Sequence, residues 1–158
     1  MQPLNLPAFA HKVQSSKTGY RIFDVVRKKY VRLTPEEWVR QHFLHYLLDH
    51  LAYPAALIRL EQGVQYNHLQ HRPDIVVYDR SAKPLLLVEC KAPNVPLNHD
   101  VWGQVARYNA HFNAQLLAIT NGMHHFCWQL DYKGGKHTLL HAIPPFDTLC
   151  SMLPLAAT

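Results

Sequence analysis

Two carboxylates and a lysine stand out by type and spacing. Asp74 opens the run Asp74-Ile75-Val76-Val77-Tyr78, and Glu89-Cys90-Lys91 directly follows the apolar run Leu85-Leu86-Leu87-Val88. A polar turn, Asp79-Arg80-Ser81-Ala82-Lys83, joins the two runs through Pro84, so together they read as an antiparallel hairpin. In such a hairpin the start of one strand faces the end of the other, and Asp74 and Glu89 can converge on one point. Lys91 lies two residues beyond Glu89 and points to the same face. Two carboxylates in a small volume repel unless a cation joins them. Hard oxygen donors favour Mg²⁺ or Mn²⁺ over zinc. A lysine beside that cation can orient, or help deprotonate, a water for attack on phosphorus. The plainer alternative is a set of ordinary strand-end charges. Against it stands the placement of Glu89 and Lys91 at the end of a strand that is apolar on both faces, where a charge must be solvated, paired or metal-bound.

The elements that must position these residues are legible around them. Thr34-Pro35-Glu36-Glu37 opens a helix, with Thr34 at the N-cap, Pro35 at the first helical position and Glu37 completing a capping box. Val39, Phe43, Tyr46, Leu47 and Leu51 then recur at helical spacing, and Pro54 ends the helix. A helical turn at Ala55–Leu57 leads into a strand around Ile58–Val64, which precedes the hairpin. Pro93 and Pro96 break the chain after Lys91, and Asn98 or Asp100 caps a helix running to about Phe112. Leu116–Thr120 reads as a buried strand stopped by Asn121-Gly122. His124–Leu130 and Lys136–His141 flank Gly134-Gly135, a hairpin-turn signal. Pro144-Pro145 introduces a short C-terminal helix. Near the start, Tyr20–Val26 and Arg27–Val31 form an edge strand or hairpin, in which Arg27, Lys28 and Lys29 are either phosphate contacts or a solvated turn. The order predicts an α/β fold around a mixed sheet, with residues 1–17 as an N-terminal arm and 18–158 as a single domain.

Composition narrows the function classes. The chain has 158 residues, 48% hydrophobic and 17% charged, an ordinary globular balance. It contains no apolar run of membrane-spanning length and no secretory signal, and so reads as cytoplasmic. Cys90, Cys127 and Cys150 are odd in number and form no CxxC pair, which argues against a disulfide framework or a structural zinc site. The formal net charge of +5 fits a polyanion partner. Among the 12 histidines, His42 with His45, His68 with His71, and His124-His125 tempt a metal reading, but no HExxH-type pattern accompanies them. Trp102, Phe126 and Trp128 read as core or rim.

These residues carry a resemblance. Arg72-Pro73-Asp74 followed by Glu89-Cys90-Lys91 resembles the PD-(D/E)XK nuclease signature, and Gln104-Val105-Ala106-Arg107-Tyr108 matches the QxxxY motif of a subgroup of that superfamily. The stretch from Thr34 to about Thr120 is similar to the N-terminal endonuclease domain of type I restriction enzyme R (motor) subunits, most of all to small stand-alone bacterial proteins carrying only that domain. The resemblance implies a restriction-endonuclease-like core, a central mixed sheet flanked by helices, hydrolysing DNA with Mg²⁺ or Mn²⁺. Asp74, Glu89 and the backbone carbonyl of Cys90 would ligate the metal, and Lys91 would position the water. Glu36 would be the acidic residue of the first helix, on the face of Arg40, with Glu37 left to capping. Gln104 and Tyr108, four apart on one helical face, would point at the site.

A rival reading is a catalytically quiet nucleic-acid-binding or scaffold domain with the same fold. The intact Asp74, Glu89 and Lys91 favour the enzyme, and an RNA-directed nuclease is a third reading. No Gly-x-x-x-x-Gly-Lys phosphate loop for a helicase motor occurs in the chain, so a restriction role would call on other subunits. A homodimer would suit cleavage of both strands.

Overall fold

The capping signal at Thr34 sets the first helix in place. In the computed structural model, which describes residues 1–60 and 73–152, the Thr34 hydroxyl accepts the Glu37 amide at 3.0 Å. Pro35 opens α1 (Pro35–His45), where its missing N–H leaves no partner wanting. A π-helical turn, Tyr46–His50, extends the helix. The chain turns off before Pro54 and makes one 3-10 turn at Ala55–Leu57.

Six strands then lie side by side in chain order: β4 (Ile58–Leu60), β5 (Ile75–Tyr78), β6 (Pro84–Cys90), β7 (Leu116–Thr120), β8 (His125–Asp131) and β9 (Lys136–Leu140). The pair β6–β7 is parallel, and α2 (His99–Phe112) supplies the crossover that a parallel pair needs. The neighbours β4–β5, β5–β6, β7–β8 and β8–β9 are antiparallel. The fold is therefore α/β around a mixed sheet flanked by helices, as the order of elements predicted. Residues 61–64 of the expected strand at Ile58–Val64, with Arg72, His68 and His71, lie outside the described residues. Asn98 caps α2 by accepting the amides of Asp100 and Val101 at 3.1 and 3.3 Å. Asn113, at φ 53°, ends it in the left-handed conformation that asparagine tolerates.

Alternation along the strands divides the core in two. Ile75, Val77, Leu86, Val88, Leu116 and Ala118 face Val39, Phe43 and Leu44 of α1, and α3 (Phe146–Met152) adds Phe146 and Leu149. Val76, Leu87, Leu117 and Ile119 face Val101 and Val105 of α2. Both faces are covered, which is why β6 and β7 read as continuous apolar runs.

The N-terminal segment departs from the expected arm. Its last residues form β1 (Val13–Ser16), which joins β2 (Gly19–Asp24) and β3 (Lys29–Arg32) in a separate three-stranded antiparallel sheet. Val13-Gln14-Ser15-Ser16 is exposed almost throughout and has no apolar alternation to announce a strand. The residues before it dock on the main body. The Asn5 amide donates to the Gly122 carbonyl at 2.7 Å, and the Trp38 indole donates to the Gln2 carbonyl at 3.1 Å. Among the described residues, no helix is long and apolar enough to cross a membrane.

Candidate active site

The β5–β6 ladder places Ile75 opposite Val88, so the next position in line sets Asp74 across from Glu89. By alternation both belong with Val76 and Leu87 on the α2 face of the sheet, and Lys91 follows them. Asp74 is 7% exposed and Glu89 5%. One Asp74 carboxylate oxygen accepts the Cys90 amide at 2.7 Å, and the other accepts the Arg40 guanidinium at 3.4 Å. Lys91 Nζ donates to Glu89 Oε1 at 2.7 Å. The structure thus brings together the three residues singled out by spacing at the open end of the β5–β6 hairpin, Asp74 and Glu89 buried and Lys91 half-buried.

Burial and proximity leave an electrostatic mark. Burial is the largest cause pushing the Asp74 carboxyl up to about 7, and the Glu89 charge adds to it. The Cys90 amide and Arg40 pull in the other direction without prevailing. For Lys91, burial opposes the charge, but its bond to Glu89 and the surrounding carboxylates outweigh it and hold the ammonium above its ordinary value. Lys91 is therefore a cation at neutral pH, a donor for a water or a phosphate oxygen. The Cys90 side chain lies on the opposite face in the α1 core, and burial pushes its thiol well up. The backbone of Cys90, not its sulfur, belongs to the site.

The first helix contributes through two acids with different surroundings. Glu36 is exposed, yet its charge helps raise Asp74 and Lys91, which sets it at the rim of the candidate site. Glu37 is 5% exposed. Its amide meets the Thr34 cap, but its carboxylate turns inward to Arg40 and to the Gln41 side chain at 2.8 Å. Glu37 therefore does more than cap: it holds the arginine that holds Asp74. Arg40, whose charge Glu37 and Asp74 sustain against burial, is the neighbour of the candidate site that spacing alone left in the background. Its signal was a charged side chain three residues after Glu37 and next to the buried apolar positions Trp38 and Val39.

From the other side, α2 supplies Gln104 and Tyr108. The Gln104 amide donates to the Tyr108 hydroxyl. Burial raises the Tyr108 phenol, which also feels the charges of Glu89, Lys91 and Asp74. The Tyr108 phenol is thus within electrostatic reach of the carboxylates, and Gln104 is joined to it.

Three of the histidines that tempt a metal reading are engaged in packing and hydrogen bonding. His42 and His45 join Phe9 and Trp38 in an aromatic cluster, and His125 bridges Thr120 and the Asn5 carbonyl, each at 2.8 Å. Trp102 and Trp128 meet at a tilt of 48° with ring centroids 4.3 Å apart against the α2 core, and Phe126 is exposed. Among the described residues, no three His, Cys, Asp or Glu side chains cluster as a metal centre. A cation at Asp74 and Glu89 would draw on two carboxylates, a backbone carbonyl and water. That donor set fits Mg²⁺, which keeps several waters, and not structural zinc.

No curated protein matches the chain. Among solved structures, a fragment described as an HsdR subunit of a type I restriction enzyme from Vibrio vulnificus YJ016 is 25% identical, at a TM-score of 0.38. The match covers 60% of this chain and 18% of that one. The family model "Type I restriction enzyme R protein N terminus (HSDR_N)" matches residues 35–144. This span takes in α1, the six-stranded sheet and every candidate site residue, and leaves β1–β3 outside it. With well over half of its residues inside that match, the chain belongs to the family of type I restriction enzyme R protein N termini.

Proposed function

We propose that this domain is a divalent-cation-dependent nuclease that hydrolyses phosphodiester bonds of DNA. The observation that carries the reading is the pair Asp74 and Glu89, buried opposite each other at adjacent strand ends with Lys91 bonded to Glu89. Asp74, Glu89 and the Cys90 carbonyl would hold Mg²⁺ or Mn²⁺. The bound cation would supply charge against the phosphate and lower the pKa of a coordinated water. Lys91 would orient the attacking water by hydrogen bonding, and Arg40 keeps the Asp74 carboxylate aimed. Gln104 and Tyr108 offer polar groups to a non-bridging phosphate oxygen, where charge gathers during displacement. Glu36, at the rim, is placed to receive a proton from incoming water. The other subunits of a restriction system are the proposed partners, and two copies acting together would cut both strands.

The test is incubation of purified protein with supercoiled, linear and single-stranded DNA in Mg²⁺ or Mn²⁺, beside Asp74→Ala. Wild type should cleave, and both Asp74→Ala and EDTA should abolish cleavage. Equal cleavage by the variant would move the chemistry elsewhere. No cleavage of any DNA or RNA would favour the quiet nucleic-acid-binding domain.

A further inference from the structure

Positive charge is unevenly distributed along the chain. Residues 12–32 carry seven of the 16 lysines and arginines and one of the 11 carboxylates, Asp24. Elsewhere nine cations meet ten carboxylates, so the net charge of +5 resides in the β1–β3 sheet and its flanks. Asp24 itself points inward. It is fully buried and accepts the Val26 and Arg27 amides at 3.0 and 2.8 Å and the Gln41 side chain at 3.0 Å. Ile22 is buried on the same side, so alternation turns Arg21 and Phe23 outward.

The register shows what that outward face carries. Arg21 stands directly opposite Arg32, and Phe23 opposite Tyr30. Lys12 lies beside Phe23, whose amide donates to the Lys12 carbonyl at 2.9 Å, and the ammonium stands 5.9 Å from the ring centroid. Phe23 and Tyr30 meet edge to face at 5.3 Å. Like charges placed directly opposite each other weaken a sheet. The Arg21 guanidinium donates to the Tyr30 carbonyl at 2.6 Å, a dipole that does not neutralise it.

We propose that this face, with Arg21, Arg32 and Lys12 among the rings of Phe23 and Tyr30, grips the phosphodiester backbone of a nucleic acid. Cations supply phosphate contacts, and rings interleaved with them suit a polyanion that also carries bases. The face is joined to the candidate site by a continuous buried chain: Asp24 to Gln41, Gln41 to Glu37, Glu37 to Arg40, Arg40 to Asp74. A nucleic acid held there is therefore held by an element tied to the carboxylates. As a substrate-holding surface the proposal rests on the nuclease reading, although binding requires no cleavage.

The test is fluorescence anisotropy in EDTA with labelled duplex DNA, single-stranded DNA and RNA of equal length, at salt from about 0.05 to 0.2 M. Arg21→Gln/Arg32→Gln should bind the preferred nucleic acid at least about tenfold more weakly, with a salt slope shallower by about two. Its melting temperature should hold or rise as the repulsion goes. Arg21→Lys/Arg32→Lys should keep most of the slope, and Lys133→Gln/Lys136→Gln, two exposed cations of the β8–β9 hairpin, should bind as wild type. If the paired glutamine variant unfolds, Arg32→Gln alone should show about half the slope change. Wild-type affinity and slope in Arg21→Gln/Arg32→Gln would overturn the proposal. So would equal weakening by the β8–β9 variant, or tighter wild-type binding to phosphatidylserine vesicles than to any nucleic acid. Cleavage in Mn²⁺ is scored separately. Wild-type cleavage with undiminished variant binding sinks the grip and leaves the nuclease, while lost variant binding without wild-type cleavage sinks the nuclease and leaves the grip.

Discussion

A carboxyl that must lose its proton to hold a cation, yet sits where burial and a neighbouring carboxylate favour that proton, couples metal binding to pH. Under the proposed function Asp74 is such a group, raised from 3.8 to about 7. Its folded pKa lies above its unfolded one, so without metal its contribution is most favourable below about pH 4 and is lost as pH rises toward 7. His42 and His125, lowered chiefly by burial, act in the opposite sense, since they lose stability as pH falls through their ordinary range. Whole-protein melts would mix the two, so the comparison must be with Asp74→Asn, which still offers an oxygen to the Cys90 amide. In EDTA, the melting temperature of Asp74→Asn relative to wild type should climb between pH 4 and 7 and then level. A constant difference across that range would show that the carboxyl titrates normally. By the same linkage, Mn²⁺ binding should release close to one proton at pH 6 and little at pH 8.5, as read by calorimetry in buffers of different ionisation enthalpy. Lys91 separates chemistry from binding. Lys91→Met should keep Mn²⁺ affinity while cleavage falls on the order of 10²-fold, and unchanged cleavage would remove Lys91 from the mechanism. Asp74, Glu89 and Lys91 were legible because a β-branched run opens, and an apolar run ends, in charge. The rise of Asp74 toward neutrality was not, because it depends on how deeply two strands are covered.

At the scale of elements, α1 does for the site what no strand does: it carries the cation that balances Asp74. Its Glu37, Arg40 and Gln41 are buried and joined to one another and to Asp24 and Asp74 by hydrogen bonds and ion pairs. Removing one charge of such a set strands the others. Arg40→Met should therefore cost about 3 kcal/mol or more in urea unfolding in EDTA. Glu37→Leu added to Arg40→Met should recover much of the loss, because the stranded carboxylate leaves with its partner. A single Arg40→Met costing under about 1 kcal/mol, the range of a surface ion pair, would mean that solvent reaches the set. The helix itself was legible from Thr34 and Pro35, α2 from Asn98, and β7 from Leu116–Thr120 to the residue, since caps and apolar runs are local signals. The inward turn of Glu37 was hidden behind a capping box that explained it too easily. Its carboxylate prefers a buried guanidinium to the cap amide, a choice set by tertiary contact. The β2–β3 hairpin was legible at Tyr20–Val31, and only β1 escaped, for a related reason: it has little side-chain burial to pattern it, and it pairs with β2 alone.

Across the whole molecule, the N-terminal segment, the α1 side of the core and the end of β7 meet at one glycine. Gly122 has φ +82°, a conformation that costs other residues about 1–2 kcal/mol. A Cβ there would stand 2.8 Å from a Leu4 methyl and 3.1 Å from a Val39 methyl. Its carbonyl accepts the Asn5 amide at 2.7 Å, and its own amide donates to Thr120 Oγ1 at 2.9 Å. Thr120 in turn takes the Lys91 amide on its carbonyl at 2.8 Å, so the docked segment lies three hydrogen bonds from the backbone of Lys91. Gly122→Ala should therefore lower the melting temperature by several degrees, combining the backbone cost with about 1–3 kcal/mol of overpacking. Leu4→Ala in the same chain removes one overlap but leaves the backbone cost and the Val39 contact. The double variant should then lose less than the sum of the two single losses. Mn²⁺ affinity, which the proposed function assigns to Asp74 and Glu89, should stay within about twofold of wild type while the fold holds, since neither carboxylate touches Gly122. Strictly additive losses would mean that Leu4 does not rest on Gly122 in solution. A parallel fall in Mn²⁺ affinity would mean that the carboxylates depend on the docked segment more closely than the hydrogen bonds from Gly122 through Thr120 to Lys91 require.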